Sequence, residues 1–222
     1  MEKLPINSVG ETIIAAINSD PRAQALQQFF QDGARIYVLA GALRDAIAQD
    51  LGQQQSTPRD FDIAVGNVKR EAFDEVLQSF GMLNRHGGYM LSAPGAPNWD
   101  VWRLEESIGL RKTGARCSLE TVLRTFNLDC NAIAMDLSTG LFLDAGAIEA
   151  IRRRRVNFAE SALHHSHGTF AAKALLLDLR LGYRLSPEMR SFVRRWLESD
   201  SLLHEARKVF PHLHILPSPE EH

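Results

Sequence analysis

The sequence is poor in the residues that mark several large classes of protein. Only two of its 222 residues are cysteines, Cys117 and Cys130, and the first thirty residues lack a basic region followed by an apolar run. A secretory signal is therefore not visible, and a disulfide framework is not expected. No apolar run approaches the ~20 residues that cross a bilayer. We expect two free thiols, a cytoplasmic location and no membrane partner.

Neither sign of charge is in excess. The chain has 25 basic and 27 acidic residues, which gives a net charge of −2. Proteins that coat nucleic acid are normally strongly basic, so any contact with RNA must be local. With 45% hydrophobic residues the chain can bury one good core with a small helical annex. No internal repeat or low-complexity tract is present.

Apolar periodicity and breaker residues divide the chain into three expected parts. These are an N-terminal helical prop over 1–33, a head domain over 34–157 and a helical, neck-like region over 158–222. The prop should contain two helices, with Asp20 and Pro21 at the start of the second. The head should be α+β, with a small mixed sheet flanked by helices.

Alternation of strand and helix patterns opens the head domain. In order they are RIYVLA, ALRDAIAQDLG, DFDIAV and KREAFDEVLQSFG, followed by the hairpins GYMLSA with NWDVWRL and DCNAIAMDL with LFLDA. Residues 105–120 have no clear period, and we expect a mobile loop there. The remaining patterns are helical, namely AIEAIRRRR, TFAAKALLLDLRLGY, SPEMRSFVRRWLESD with Ser186 as its cap, and SLLHEARKVF.

Two carboxylates occupy alternate positions of the apolar stretch DFDIAV. Because strand side chains two residues apart point to one face, Asp60 and Asp62 should project together while Phe61 and Ile63 face a core. Carboxylates side by side at a partly buried site repel each other, and a divalent cation is their natural neutralising partner. Mg²⁺ fits because it takes one or two carboxylates plus substrate phosphates and water. The apolar flanks argue against a turn or capping role.

A glycine turn precedes this strand. Gly41 separates RIYVLA from the following helix, and its missing side chain would let a triphosphate approach the backbone. The N–H groups and dipole at the helix start favour an anion, and Arg44 could add charge-assisted hydrogen bonds to phosphate oxygens. We expect Asp45 to cap its own helix or to pair within it rather than to contact a ligand.

These residues carry a resemblance to a known family. VLAGALRD followed by PRDFDIAV resembles the signature of the class II poly(A) polymerase and CCA-adding tRNA nucleotidyltransferase family, in the DNA polymerase β-like superfamily. The family pattern runs apolar-GGAVRD and then K/P-x-D-I-D-L, and Ala40 here replaces the first glycine. WDVWRLEE, NLDCNAIAMDLSTGLFLDAGAIEAI and AAKALLLDLRLGYRLSPE resemble further family segments in the same order. The likeness covers about residues 35 to 190.

The resemblance implies a polymerase β-like head fold and two-metal nucleotidyl transfer. Two Mg²⁺ ions would be held by Asp60, Asp62 and Asp100, with a nucleoside triphosphate, ATP as first choice, over the sheet. Asp100 could instead form a surface salt bridge, and Asp129 is the rival third carboxylate.

Further residues are expected to hold the triphosphate. Its phosphates would lie at Ala40, Gly41 and Arg44. Three alternatives stay open for residues beyond this turn. Arg103 binds phosphate or packs along the sheet edge, Asn131 orders the site or satisfies a strand end, and Lys173 meets the triphosphate or points outward.

The chain also departs from the family pattern. Residues 125–127 read TFN where the family has Arg-Arg-Asp, and Ser166, His167 and Phe170 align with the neck residues that read the base. An RNA or tRNA 3′ end is the first choice of acceptor by family likeness. A protein side chain or a small molecule is the alternative acceptor, and a non-catalytic nucleotide-binding regulator is the rival class.

Two charged clusters admit more than one interpretation. The run RRRR at 152–155 could touch an RNA backbone, although a solvated run is the commoner outcome. His164, His165 and His167 could bind zinc, but no cysteine lies beside them and the spacing fits no closed four-ligand site. A loop rich in histidine is the expected account of that cluster.

Overall fold

The computed structural model describes residues 7–31, 33–53, 58, 60–159 and 168–197. The strands of its main sheet are β1 (Arg35–Leu39), β2 (Asp60–Gly66), β3 (Met82–Leu83), β4 (Tyr89–Leu91), β5 (Asn98–Arg103), β6 (Ile133–Asp136) and β7 (Phe142–Asp144). A separate two-stranded pair is formed by β8 (Arg155–Val156) and β9 (Arg184–Leu185). The helices are α1 (Asn7–Asn18), α2 (Ala23–Gln31), α3 (Gly41–Asp50), α4 (Arg70–Leu77), α5 (Ile108–Thr113), α6 (Leu119–Arg124), α7 (Ala147–Arg152), α8 (Gly168–Leu181) and α9 (Pro187–Leu197).

The described strands form a mixed sheet with the order β3-β4-β5-β2-β1-β6-β7. Strands β2 and β5 run parallel at its centre, and the other neighbouring pairs run antiparallel. This confirms the predicted α+β class with a mixed sheet flanked by helices. Both cysteines are free, as expected, with Cys117 exposed and Cys130 buried.

The two faces of the sheet bury different clusters. Phe61, Ile63 and Val101 belong to the main core, which also receives the apolar faces of α1, α2 and α4. Since strand side chains alternate, Asp60 and Asp62 lie on the opposite face. That face carries a smaller cluster, whose buried members include Leu39, Ala64, Leu104, Leu110, Val122 and Leu123.

The predicted mobile loop over residues 105–120 is wrong. The chain there forms α5 and the start of α6, and both helices begin at a serine cap. Ser107 Oγ accepts a hydrogen bond from Leu110 N at 3.2 Å, and Ser118 Oγ accepts one from Thr121 N at 3.1 Å. Helices of six residues are too short to show a period and gain their stability from tertiary packing.

The arginine run is not one helix, which corrects the prediction for AIEAIRRRR. Helix α7 ends at Arg152, Arg154 has a left-handed backbone with φ 46°, and Arg155 pairs in β8 with Arg184 of β9. Ser186 caps α9 as predicted, because its Oγ accepts a hydrogen bond from Met189 N at 3.1 Å.

Several expectations lie outside the described residues. They are the histidine cluster at 164–167, the helix SLLHEARKVF and most of the QQQSTPR loop. The division into prop, head and neck stays a prediction. Within the described ranges no helix has the length and apolar character that a bilayer span requires.

Truncating Leu123 tests the packing of α6 on the sheet. Leu123 is 0% exposed, so Leu123→Ala should leave a cavity and lower the free energy of unfolding by about 2–5 kcal/mol in urea titrations. Leu141, which is 70% exposed, supplies the control, and Leu141→Ala should change stability by less than about 0.5 kcal/mol. Equal, small effects of both substitutions would contradict this packing.

Candidate active site

The parallel pairing of β2 and β5 brings the predicted carboxylates together. Asp62 is the register partner of Asp100, and Asp60 lies two residues earlier on the same face of β2. Neighbouring strands are about 4.8 Å apart, so the Asp62 and Asp100 side chains leave the sheet side by side. Asp60 is exposed, whereas Asp62 and Asp100 are partly buried.

The pKa values of Asp62 and Asp100 are both raised in this setting. The pKa of the Asp62 carboxyl is raised to about 6, chiefly by burial and also by the negative charges of Asp60 and Asp100. Burial also raises the pKa of Asp100, again with a contribution from Asp60. A group that carries such a cost when ionised is one that a cation would stabilise.

Lys173 supplies a positive charge to this face. Its ammonium acts to lower the pKa of both Asp62 and Asp100, which places it within electrostatic range of the two carboxylates. The side chain is exposed and projects from α8. Contact of Lys173 with a triphosphate stays a prediction.

The turn before α3 has its unusual backbone at Ala40 rather than at Gly41. Ala40 has φ 55° and ψ −118°, a conformation that favours glycine, and its side chain is buried. Its amide donates to the Ile133 carbonyl at 3.0 Å, so neighbouring strand β6 holds the turn. Among the described residues, a Cβ added to Gly41 would meet the Arg44 guanidinium, at the ordinary contact distance of 3.8 Å. The described part of the chain therefore leaves space beside the Gly41 backbone.

Arg44 is held in place by its neighbours. Its Nε donates to Asp45 Oδ1 at 2.8 Å, its Nη2 lies 2.7 Å from the same oxygen, and its Nη1 donates to Asn131 Oδ1 at 2.8 Å. The predicted pairing of Asp45 within its own helix is confirmed. Asn131 orders Arg44 through its amide, the first of the two roles considered for it. All three guanidinium nitrogens are thus engaged in fixing the start of α3.

The structure does not bring Arg103 to the carboxylates. Arg103 is three residues after Asp100, and this odd spacing on β5 directs it to the other face. Its Nε and Nη2 donate to the Val68 carbonyl at 3.0 and 2.7 Å, and its Nη1 pairs with Glu106. These contacts are those of a residue packed at the end of β5, and contact of Arg103 with phosphate stays a prediction.

The Asp129 carboxylate is hydrogen-bonded to two backbone amides. Its Oδ1 accepts hydrogen bonds from Cys130 N at 2.7 Å and Asn157 N at 2.9 Å. Burial raises the pKa of this carboxyl to about 6. Asp129 therefore joins the turn before β6 to the chain after β8, and Asp100 is the better placed third carboxylate.

Sequence reasoning missed the hairpin loop between β3 and β4. Asn84 Nδ2 donates to Asp100 Oδ1 at 2.8 Å, while Asn84 Oδ1 accepts from His86 N at 2.8 Å and Gly88 N at 3.1 Å. The charge of His86 acts to lower the pKa of Asp100. The sequence offers only a turn signal here, because the contact exists once the hairpin folds back on β5.

The carboxylates fit magnesium by their chemistry. In the part of the chain that the structure describes, no three His, Cys, Asp or Glu side chains already form a metal-binding group. Mg²⁺ does not require such a cage, since one or two carboxylates and substrate phosphates suffice. Asp60 and Asp62 supply hard oxygen donors on one face, and a cation would relieve the cost of ionising Asp62 that arises from burial and from repulsion by Asp60.

A mixed sheet with these flanking helices is the nucleotidyltransferase head fold. Similar solved structures include a tRNA-processing enzyme with CTP, at 18% identity and TM-score 0.59, which covers 83% of this chain and 51% of the other. The Thermotoga maritima CCA-adding enzyme complexed with tRNA has 19% identity and TM-score 0.58, and the match covers 86% of this chain and 48% of the enzyme. A tRNA nucleotidyltransferase complexed with a primer tRNA and an incoming ATP analogue has 17% identity and TM-score 0.57, covering 84% and 59%.

At these identities the likeness establishes the fold alone. The chain spans about half the length of the solved structures that it matches, 46% to 59% among those compared. No protein-family model matches the sequence, and comparison with curated proteins gives no match.

Neutralising Asp62 tests the electrostatics of this face. The raised pKa means that the ionised carboxylate destabilises the folded protein, so Asp62→Asn should increase the free energy of unfolding by about 1–3 kcal/mol at pH 7.5 without divalent cations. Because the folded protein then binds more protons than the unfolded chain between pH 4 and 6, the advantage should shrink as pH falls through that window.

Urea unfolding of both proteins at pH 7.5 and pH 4.5, with chelator present, measures this difference. Glu75→Gln, on the exposed side of α4, is the control and should show no comparable pH dependence. An Asp62→Asn effect that is the same at both pH values would contradict the proposed cost of ionisation.

Proposed function

We propose that the protein is a nucleotidyltransferase that moves a nucleoside monophosphate from a nucleoside triphosphate to an acceptor hydroxyl. The observation that carries this proposal is the register of β2 and β5, which sets Asp60, Asp62 and Asp100 on one face. Solved structures of the same fold contain CTP, an ATP analogue or tRNA. ATP is our first choice of donor, and an RNA or tRNA 3′ end is our first choice of acceptor.

Asp60 and Asp62, with Asp100 as the third ligand, would hold two Mg²⁺ ions. When bound, such ions lower the pKa of the acceptor hydroxyl and stabilise the departing pyrophosphate. Asn84 donates to Asp100 and so fixes the orientation of that carboxylate. These residues define the metal side of the proposed site.

The triphosphate side is formed by the turn at Ala40 and Gly41 together with Lys173. Backbone N–H groups at the start of α3 attract an anion, and the ammonium of Lys173 adds a charge near the carboxylates. Arg44, held by Asp45 and Asn131, keeps the first turn of α3 in place. Its role in our proposal is to position this backbone and to add positive charge.

A non-catalytic nucleotide-binding regulator is the second candidate. It is favoured by residues 125–127, where TFN replaces the family's charged triplet and where Thr125 Oγ1 donates to the Val122 carbonyl at 2.7 Å to close α6. A protein or small-molecule acceptor is the alternative within the enzyme class.

Replacing the paired aspartates tests the proposed activity. Asp60→Asn and Asp62→Asn should each reduce transfer of label from α-labelled triphosphate to RNA by at least about 10³-fold, because the metal side loses a ligand. The assay uses total RNA, cell extract and Mg²⁺, with each triphosphate in turn. Glu75→Gln should keep full activity, and thermal unfolding checks that every variant folds.

The pattern of label separates the candidates. Labelled RNA supports the proposed acceptor, and a labelled protein band supports the alternative acceptor. Triphosphate binding without any transfer by the wild-type protein would favour the regulator, and undiminished transfer in either aspartate variant would overturn the proposed metal site.

Removing the Lys173 ammonium tests the triphosphate side. Lys173→Ala should raise KM for the triphosphate about tenfold, because a charge near the phosphates is lost, and should raise the pKa of Asp62. Steady-state kinetics at saturating Mg²⁺ give KM and kcat separately. Lys69→Ala, at the exposed start of α4, is the control, and an equal change in both variants would argue against a specific role.

A further inference from the structure

The positive charge of this nearly neutral chain is concentrated in one region. Residues 147–197 contain ten basic and four acidic residues, whereas the whole chain has 25 and 27. The region includes α7 to α9 and the small pair β8 and β9. A basic region on a chain with net charge −2 is the local footprint that binding to a polyanion requires.

A groove of about 340 Å³ lies in this region between α8, β9 and α9. Three arginines and one carboxylate line it, together with leucine and valine side chains. The charged lining residues are Arg184, Arg190, Arg194 and Asp178. The arginines are exposed, so their guanidinium groups can reach a ligand in the groove.

One pair of like charges lines the groove, and a second pair joins the lining residue Arg184 to Arg155 beside it. Arg190 and Arg194 are four residues apart on α9 and so are neighbours on one helix face. Arg155 is the register partner of Arg184 in the parallel pair, and both side chains are exposed. Each arrangement costs free energy that a bound anion would offset.

Nearby carboxylates do not neutralise these pairs. Among the described residues, none of the four guanidinium groups makes an ion pair within 4.0 Å, whereas the adjacent Arg153 does so with Glu149. Arg155 lies within electrostatic range of Asp129 and Glu188 without bonding to either. The described fold therefore places the four arginines near three carboxylates, Asp129, Asp178 and Glu188, without a direct ion pair to any of them.

The chemistry of these side chains selects phosphate. All four basic residues are arginines and not lysines. The planar guanidinium of arginine matches phosphate oxygens with two parallel N–H donors, whereas the lysine ammonium acts as a point charge. Arg190 and Arg194 are about 6 Å apart along the helix axis, so they can contact successive phosphates of an extended strand. We propose that this groove binds the phosphodiester backbone of single-stranded RNA.

Helix α8 contributes to both the groove and the proposed active site, on different sides of the helix. Helix α8 carries Lys173, which faces the carboxylates, and Leu175 and Asp178, which line the groove. Leu175 and Asp178 lie about 200° and 140° around the helix from Lys173, so the groove is on the side of α8 turned away from the carboxylates. That the bound strand is the acceptor of nucleotidyl transfer rests on the proposed function, whereas the binding itself does not.

Fluorescence anisotropy of a labelled 20-nucleotide oligouridine tests the groove directly. The full chain and the triple variant Arg184→Ala, Arg190→Ala and Arg194→Ala are titrated from 50 to 200 mM KCl with chelator present, so that no transfer occurs. The triple variant should bind at least tenfold more weakly. The slope of log affinity against log salt should become shallower by about 2, since each lost phosphate contact contributes about 0.7.

Arg195→Ala is the matched control, because Arg195 is exposed on α9 and lies outside the groove lining. It should bind like the wild type, and circular dichroism and melting temperature should be alike in all variants. Equal binding by the triple variant and the wild type would overturn the proposal. The proposal would also be overturned if polyglutamate competed as effectively as RNA of the same charge. That result would indicate an acidic protein as the partner.

The Asp62→Asn variant separates the two proposals. It should lose transfer and keep RNA binding that depends on the three arginines. Arginine-dependent binding by a wild-type protein that transfers no nucleotide would refute the proposed function and support the groove. Active transfer with no effect of the three arginines on binding would refute the groove alone.

Discussion

The parallel pairing of β2 with β5 is the constraint on which the candidate site depends. Parallel neighbours need a long crossover, and here the chain passes through α4 and the hairpin of β3 and β4 before it returns. That return sets Asp100 beside Asp62 and brings Asn84 onto the Asp100 carboxylate. One strand register therefore fixes three polar side chains of the site at once.

This arrangement opposes the general tendency of a sheet to bury apolar surface. The main core lies on the face of Phe61 and Ile63, and the smaller cluster under α5 and α6 covers part of the other face. The remainder of that face carries like-charged carboxylates, which are costly when ionised. Ala40 adds backbone strain at the neighbouring turn. Local conflicts of this kind are commonly found where a protein binds ligands.

The sequence predicted the elements whose patterns are long enough to be recognised. Alternation identified β2, and breakers bounded α3 and α4. It missed α5 and α6, because six-residue helices show no period, and it missed two-residue strands such as β3 and β8, which exist only through pairing. The hydrogen bond from Asn84 to Asp100 could not be predicted, because it forms only when the hairpin folds back on β5. The orientation of Arg103 could have been predicted from the sequence, because its odd spacing from Asp100 on a strand places it on the opposite face.

The position of a bound metal and triphosphate tests the central claim most directly. A crystal structure of the protein with Mn²⁺ and a non-hydrolysable ATP analogue would locate both by anomalous scattering. Our account predicts metal density about 2.1 Å from carboxylate oxygens of both Asp60 and Asp62, with the triphosphate at the start of α3. Metal and triphosphate bound together at a place away from β2 would contradict it.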